Sequence, residues 1–155
     1  MTFRIVENPS WADLQHYGAE LYEAMQKLTD RFPHDMTVRG LLEELLRGEK
    51  RLWLILEEGR FVAFALTNIR TVEATGAKIA ELVDLAGERV TEYAEPLFQA
   101  LIDWSDREGA TVDAVTGRDG WRKLLGKYGF KVYAVTYRRE KDVKHNENHD
   151  RKQAA

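Results

Sequence analysis

Carboxylates and cations are the groups in this chain best placed to do chemistry. Glu81 and Asp84 stand inside Ile79–Leu85, an otherwise apolar stretch. A carboxyl withdrawn from water has a raised pKa, which suits a general base. Three residues apart on an unbroken strand, the two have opposite parity and face different sides. Pairing with a neighbouring Lys or Arg is the purely structural alternative. The second set is basic: Arg118, Arg122, Lys123 and Lys127, then Lys131, Arg138, Arg139 and Lys141. Residues 116–155 carry 11 Lys and Arg against 5 Asp and Glu, whereas residues 1–115 carry 12 against 21. Such a face can hold phosphates or an acidic protein surface, and a solvated helix face has the same composition. No exposed aromatics are expected among these cations, so any nucleic-acid binding would be unspecific.

Other chemistries drop out. Cys is absent, which removes disulfides, thiolate metal sites and cysteine nucleophiles. The two serines, Ser10 and Ser105, lie in no nucleophile-elbow pattern, and there is no Gly-Lys-Ser/Thr phosphate loop. His145 and His149 are four apart but lack a carboxylate ligand at a recognised spacing, so no metal is expected. The 155 residues suit one domain, and 44% hydrophobic with 32% charged residues is a globular balance. No apolar run approaches the ~18 residues of a membrane span, and the polar start Met1-Thr2-Phe3-Arg4 does not read as a signal peptide. No membrane partner and a cytoplasmic location are expected.

The elements that must position these groups follow from periodicity. Thr2–Val6 reads as a strand. Asn8-Pro9-Ser10 opens a helix with Leu14, Tyr17, Leu21, Met25 and Leu28 on one face, and Thr37 caps a second that closes at Gly48. Arg51–Glu57 and Arg60–Arg70 form a hairpin through Glu58-Gly59, and Lys78–Leu85 is a strand apolar on both faces. A long helix ending at Gly109, a strand Ala110–Thr116, a helix Arg118–Tyr128 and a last strand Phe130–Arg139 complete the pattern. The order β-α-α-β-β-β-α-β-α-β predicts an α/β domain over residues 1–141, a mixed sheet flanked by helices. Residues 142–155 read as a polar tail.

This order, closing on Gly117-Arg118-Asp119-Gly120-Trp121-Arg122-Lys123-Leu124-Leu125-Gly126-Lys127-Tyr128-Gly129-Phe130, resembles the GNAT (N-acetyltransferase) superfamily from Phe3 to about Lys141. The Gly-Arg-x-Gly-Trp form of the last helix is most similar to the GNAT-like proteins of tailed, short-tailed phages. The resemblance implies an acetyl-CoA site in which an Arg/Gln-x-x-Gly-x-Gly/Ala loop cradles the pyrophosphate on backbone N–H groups. Here Arg89 and Ala94 match, but Glu92 replaces the first glycine and brings a carboxylate to the cradle. The family's thiolate-protonating Tyr falls on Leu125, which has no proton to give, and its cofactor-lining Asn falls on Arg118. Tyr128 is displaced by three residues and reads as core. Family members often place a carboxylate on the strand that carries Glu81 and Asp84.

Two functions follow. The first is a GNAT-fold protein with a degenerate acetyl-CoA site and no cofactor. It would act by contact as a phage virion or assembly component, in a bacterial host's cytoplasm or incorporated into the particle. Its partners would be other protein subunits, copies of itself among them, met through Arg118, Arg122, Lys123, Lys127, Arg138 and Arg139. The alternative is a divergent acetyl-CoA-dependent N-acetyltransferase acting on an amine. In that case Leu85, Arg89, Ala94 and Arg118 hold the cofactor with strand backbone, and Glu81 or Asp84 is the base.

Overall fold

The computed structural model of the chain describes residues 2–141. Strand β1 (Phe3–Glu7) leads into helices α1 (Trp11–Arg31) and α2 (Val38–Leu46). Strands β2 (Arg51–Glu57), β3 (Arg60–Thr71) and β4 (Lys78–Gly87) follow, then α3 (Val90–Arg107), β5 (Val112–Val115) and the short α4 (Arg122–Gly126). Ser10 starts α1 through a reciprocal cap in which its hydroxyl accepts from the Asp13 N–H and Asp13 accepts from the Ser10 N–H, both at 3.1 Å. Thr37 caps α2 by accepting from the Gly40 N–H at 3.0 Å.

The five strands form one sheet in the order β1-β2-β3-β4-β5, antiparallel except for the parallel pair β4–β5. Glu58 and Gly59, both at positive φ, turn β2 into β3 with the hand that a two-residue hairpin needs. Alternate residues of the central strands face opposite ways and build two cores. Trp53, Ile55, Ala63, Ala65 and Leu82 meet Tyr93, Leu97, Phe98, Leu101 and Trp104 of α3. Leu52, Leu54, Phe64 and Leu66 meet Leu21, Met25 and Leu28 of α1 and Leu41 of α2. The sheet is thus buried on both sides, which is why its central strands are apolar throughout rather than alternating. The indole N–H of Trp53 donates to the Thr67 hydroxyl at 2.8 Å, satisfying two buried polar groups together.

The C-terminal end departs from the sequence expectation. The helix expected over Arg118–Tyr128 is a 3-10 turn at Asp119–Trp121 followed by the five residues of α4. The strand expected over Phe130–Arg139 does not form, and residues 130–141 adopt neither helix nor strand. Its alternation is strand-like, but a strand also needs a neighbour to take its N–H and C=O groups, and among the described residues it has none. Phe130 packs on Phe98, with ring centroids 5.9 Å apart, and Arg138 donates to Asp35 at 2.8 Å. The segment is therefore held at both ends. Residues 142–155, with His145, His149 and the expected tail, lie outside the described residues.

Gly87 ends β4 at φ 156°, and a Cβ there would stand 2.3 Å from the Ala63 Cβ. Only glycine lets the end of β4 approach β3 this closely. Gly87→Ala is expected to destabilise the fold by about 1–3 kcal/mol through overpacking. Urea unfolding should show a lower midpoint at an unchanged slope.

Candidate functional site

Strand β4 carries the candidate site, and its register decides what the site can do. Asn68 pairs with Glu81, Thr67 with Leu82, and Leu66 with Asp84, so Val83 is an extra residue in β4. This bulge overturns the parity expectation. Glu81 and Asp84 stand opposite Asn68 and Leu66, which are two apart on β3, so both carboxylates lie on the sheet face covered by α1 and α2. The Glu81 carboxylate accepts from Arg70 Nε at 2.5 Å. The Asp84 carboxylate lies 3.7 Å from Lys50 Nζ, which is itself 2.9 Å from Glu44. Burial raises the Asp84 carboxyl above the usual aspartate value; Lys50 pulls it down and Glu44 pushes it up again. Beside them the side-chain oxygen of Asn68 is buried with no hydrogen-bond partner among the described residues.

The backbone of β4 adds a second feature. β5 accompanies β4 only from Ile79 to Leu82, whereas β3 continues to Gly87. Beyond Leu82, β4 therefore has an open edge on its β5 side among the described strands, where an extended group could take strand hydrogen bonds. Leu85 lies along this edge, half-buried against the α3 side of the sheet.

The edge leads to Arg89, the residue before α3, held at φ 64° and ψ 31°. Its guanidinium is gripped from both sides. Glu57, at the end of β2, accepts at 2.7 and 3.3 Å, and Glu92 accepts at 2.5 and 3.2 Å. The same guanidinium lies 5.7 Å from the centroid of the Phe3 ring. Arg89 is held more firmly protonated by these carboxylates, and Glu92 is lowered by its bonds to Arg89. Glu92 does sit in the first turn of α3, as Arg89-x-x-Glu92 implies, but its carboxylate reaches the guanidinium. Helix α3 begins at Val90, and Pro96 lies inside it.

Other residues singled out from the sequence are placed as follows. Ala94 is buried in the core under the sheet, away from any cradle surface. Leu125 packs at the edge of the same core, and the Tyr128 ring stacks on Phe98 at 4.8 Å, a packing role. Arg118, Arg122, Lys123 and Lys127 are exposed on and around α4, and Arg139 is exposed farther along the chain. Arg138 is exposed too, but it pairs with Asp35 and Glu140. The expectation that no exposed aromatics accompany these cations fails, since Tyr133 and Tyr137 are 101% and 91% exposed. Residues 131–141 are exposed throughout, so the two tyrosines stand in solvent. Among the described residues no three His, Asp or Glu side chains are grouped to hold a metal, and no helix is long and apolar enough to cross a membrane.

Sequence reasoning missed Glu57, Lys50, Glu44, Arg70 and Asn68, because each reaches the site through pairing across strands or helices. It also missed Tyr93, buried beneath the cradle with its hydroxyl unpartnered among the described residues and its pKa pushed up to about 12 by burial.

No protein-family model matches the sequence, and no curated protein does. Solved structures do. A glucosamine-6-phosphate N-acetyltransferase from Arabidopsis thaliana superposes with a TM-score of 0.64 at 16% identity, covering 92% of this chain and 100% of that one. An acetyltransferase from Trypanosoma brucei gives 0.67 at 15% identity over 90% and 99%. A GNAT-family acetyltransferase from Staphylococcus aureus gives 0.62 at 10% identity over 90% and 99%. At these identities the likeness is one of fold: the chain has the GNAT acetyltransferase fold and is acetyltransferase-like in architecture. Nothing in these comparisons connects it with tailed phages.

Carbon-detected NMR titration should place the Asp84 midpoint above the ordinary value of 3.8. Lys50→Met should raise it further, because Lys50 holds it down. A carboxyl with a raised folded pKa binds its proton more tightly folded than unfolded, so the Asp84 contribution to stability falls as pH rises from 3.8 through the folded pKa. Asp84→Asn should remove that part of the pH slope.

Proposed function

We propose that this chain is a GNAT-fold protein whose cofactor cradle is closed by its own ion pairs, and that it works by contact with an acidic protein partner rather than by acetyl transfer. The observation that carries this reading is the Glu57–Arg89–Glu92 triplet. A pyrophosphate approaching Arg89 would meet two carboxylates already bonded to it, and would have to displace them against like-charge repulsion. The residues present therefore do not fit acetyl-CoA at its phosphate end. Leu125, in the position of the family's proton donor, adds nothing toward a leaving thiolate. The cations around α4 supply a contact face on the same side of the sheet as α3. A place in a phage particle draws no support from the fold.

One observation favours a second reading, acylation of an amine. Asp84, raised by burial and beside the open edge of β4, has the character of a base that could take a proton from an ammonium group.

Calorimetric titration with acetyl-CoA separates the two. The wild-type chain should give no binding heat, and Glu92→Gly combined with Glu57→Gln should bind, because the substitutions release Arg89 and bare the first turn of α3. Micromolar binding by the wild type, with thiol release lost in Asp84→Asn, would establish the second reading instead. The contact face is tested by a poly-glutamate peptide. Binding should weaken with salt and with Lys123→Glu plus Lys127→Glu, at an unchanged melting temperature.

A further inference from the structure

Residues 130–141 run without helix, strand, turn or bend, and every residue from 131 to 141 is exposed. Side chains alternate along such an extended stretch, and here the alternation sorts them by chemistry. Lys131, Tyr133, Val135, Tyr137, Arg139 and Lys141 fall on one face, so cations bracket two aromatic rings. Arg138 and Glu140 fall on the other face, 2.8 Å apart as an ion pair. Arg138 also reaches Asp35 at 2.8 Å, which turns this second face toward the body of the protein. The only acid of the segment is thus segregated from the first face and already neutralised. On the first face, Lys131, Arg139 and Lys141 have no ion-pair partner among the described residues, and both tyrosine rings stand bare. Phe130 on Phe98 and Arg138 on Asp35 hold the segment at both ends, which lowers the ordering cost of binding a partner.

We propose that this face binds single-stranded nucleic acid without sequence preference, with its cations on phosphates and its tyrosine rings on bases. Charge complementarity alone would suit any polyanion. The rings decide between them, because unpaired bases offer flat faces to stack on and a carboxylate surface offers none. A duplex keeps its bases stacked on one another, so the single strand is the form that uses both halves of the pattern. Stacking is indifferent to base identity, and no side chain on this face carries the paired donor and acceptor of Asn or Gln that reads a base edge. The inference goes beyond the contact proposed for α4. It uses none of those cations, and neither proposal depends on the other.

Fluorescence anisotropy of a short labelled oligothymidylate tests this on the full chain. The wild type should bind it at low salt and lose affinity as salt rises. Arg139→Gln with Lys141→Gln should flatten the log–log salt slope by about 1.4, two phosphates at about 0.7 each for a single strand. Tyr133→Ala and Tyr137→Ala should each weaken binding by about five-fold or more and leave the slope unchanged. Tyr133→Phe and Tyr137→Phe should bind as the wild type does, because the ring remains. All these positions are exposed, so circular dichroism and melting should not move. The proposal is overturned if oligothymidylate fails to bind at low salt, if affinity ignores the loss of both rings, or if a duplex of equal length binds as tightly. Poly-glutamate binding that falls by the same factor when the rings are removed would also overturn it, and would assign this face to an acidic protein.

Discussion

The pairing of β3 with β4 is the constraint on which the rest of this molecule depends. These two strands run side by side from Thr71 and Lys78 to Ala63 and Gly87, and they lie at the centre of the sheet with helices on both faces. Two local departures are built into that long ladder. The bulge at Val83 turns Asp84 onto the same face as Glu81, and the glycine at position 87 lets the strand end come into contact with Ala63. Without the first, the carboxylates would face opposite cores. Without the second, β4 would end farther from β3, and the turn that aims Arg89 back toward Glu57 would start from another place.

The electrostatics follow from this geometry. Each cation near the site is committed to a carboxylate: Arg70 to Glu81, Lys50 to Glu44 and Asp84, Arg89 to Glu57 and Glu92. The part-exposed pairs of Arg70 and Arg89 contribute little to stability singly, while the Lys50–Asp84 pair is largely buried. Their effect is on availability, because a guanidinium with two carboxylates in its fork has few donors left for an anion from solution. A fold whose architecture matches acetyltransferases can therefore carry a surface with a different preference, and fold alone does not decide activity.

Local signals were legible in the sequence, and relations between distant segments were not. Ser10 with Asp13, Thr37 with Gly40, and Glu58 with Gly59 each act within a few residues; the Thr37 cap and the Glu58-Gly59 turn stand where the pattern placed them, and α1 follows the Asn8-Pro9-Ser10 start. The apolar β2 and β4 announced a sheet covered on both faces, and the GNAT-like order was readable from that. The bulge was not, because an extra residue exists only relative to the neighbouring strand. Glu57 was invisible as a partner of Arg89, being 32 residues away. The Phe130–Arg139 strand failed for the converse reason: its pattern is local, but the neighbour that would make it a strand is missing among the described residues.

The packing of the α3 core has an optical consequence. Trp53 and Trp104 meet edge to face with ring centroids 5.6 Å apart, both buried, but among the described residues only Trp53 of the two has a hydrogen-bond partner for its indole N–H. Their transition dipoles are close enough to couple, and their unlike surroundings separate their energies. Trp11, by contrast, is 74% exposed at the start of α1. The molecule thus carries one chromophore pair that reports the contact between the sheet and α3, an exposed indole that reports the solvent at the far side, and a fourth, half-buried beside Gly117, at Trp121, which a Phe substitution would silence. Near-ultraviolet dichroism and fluorescence can follow the two without any label.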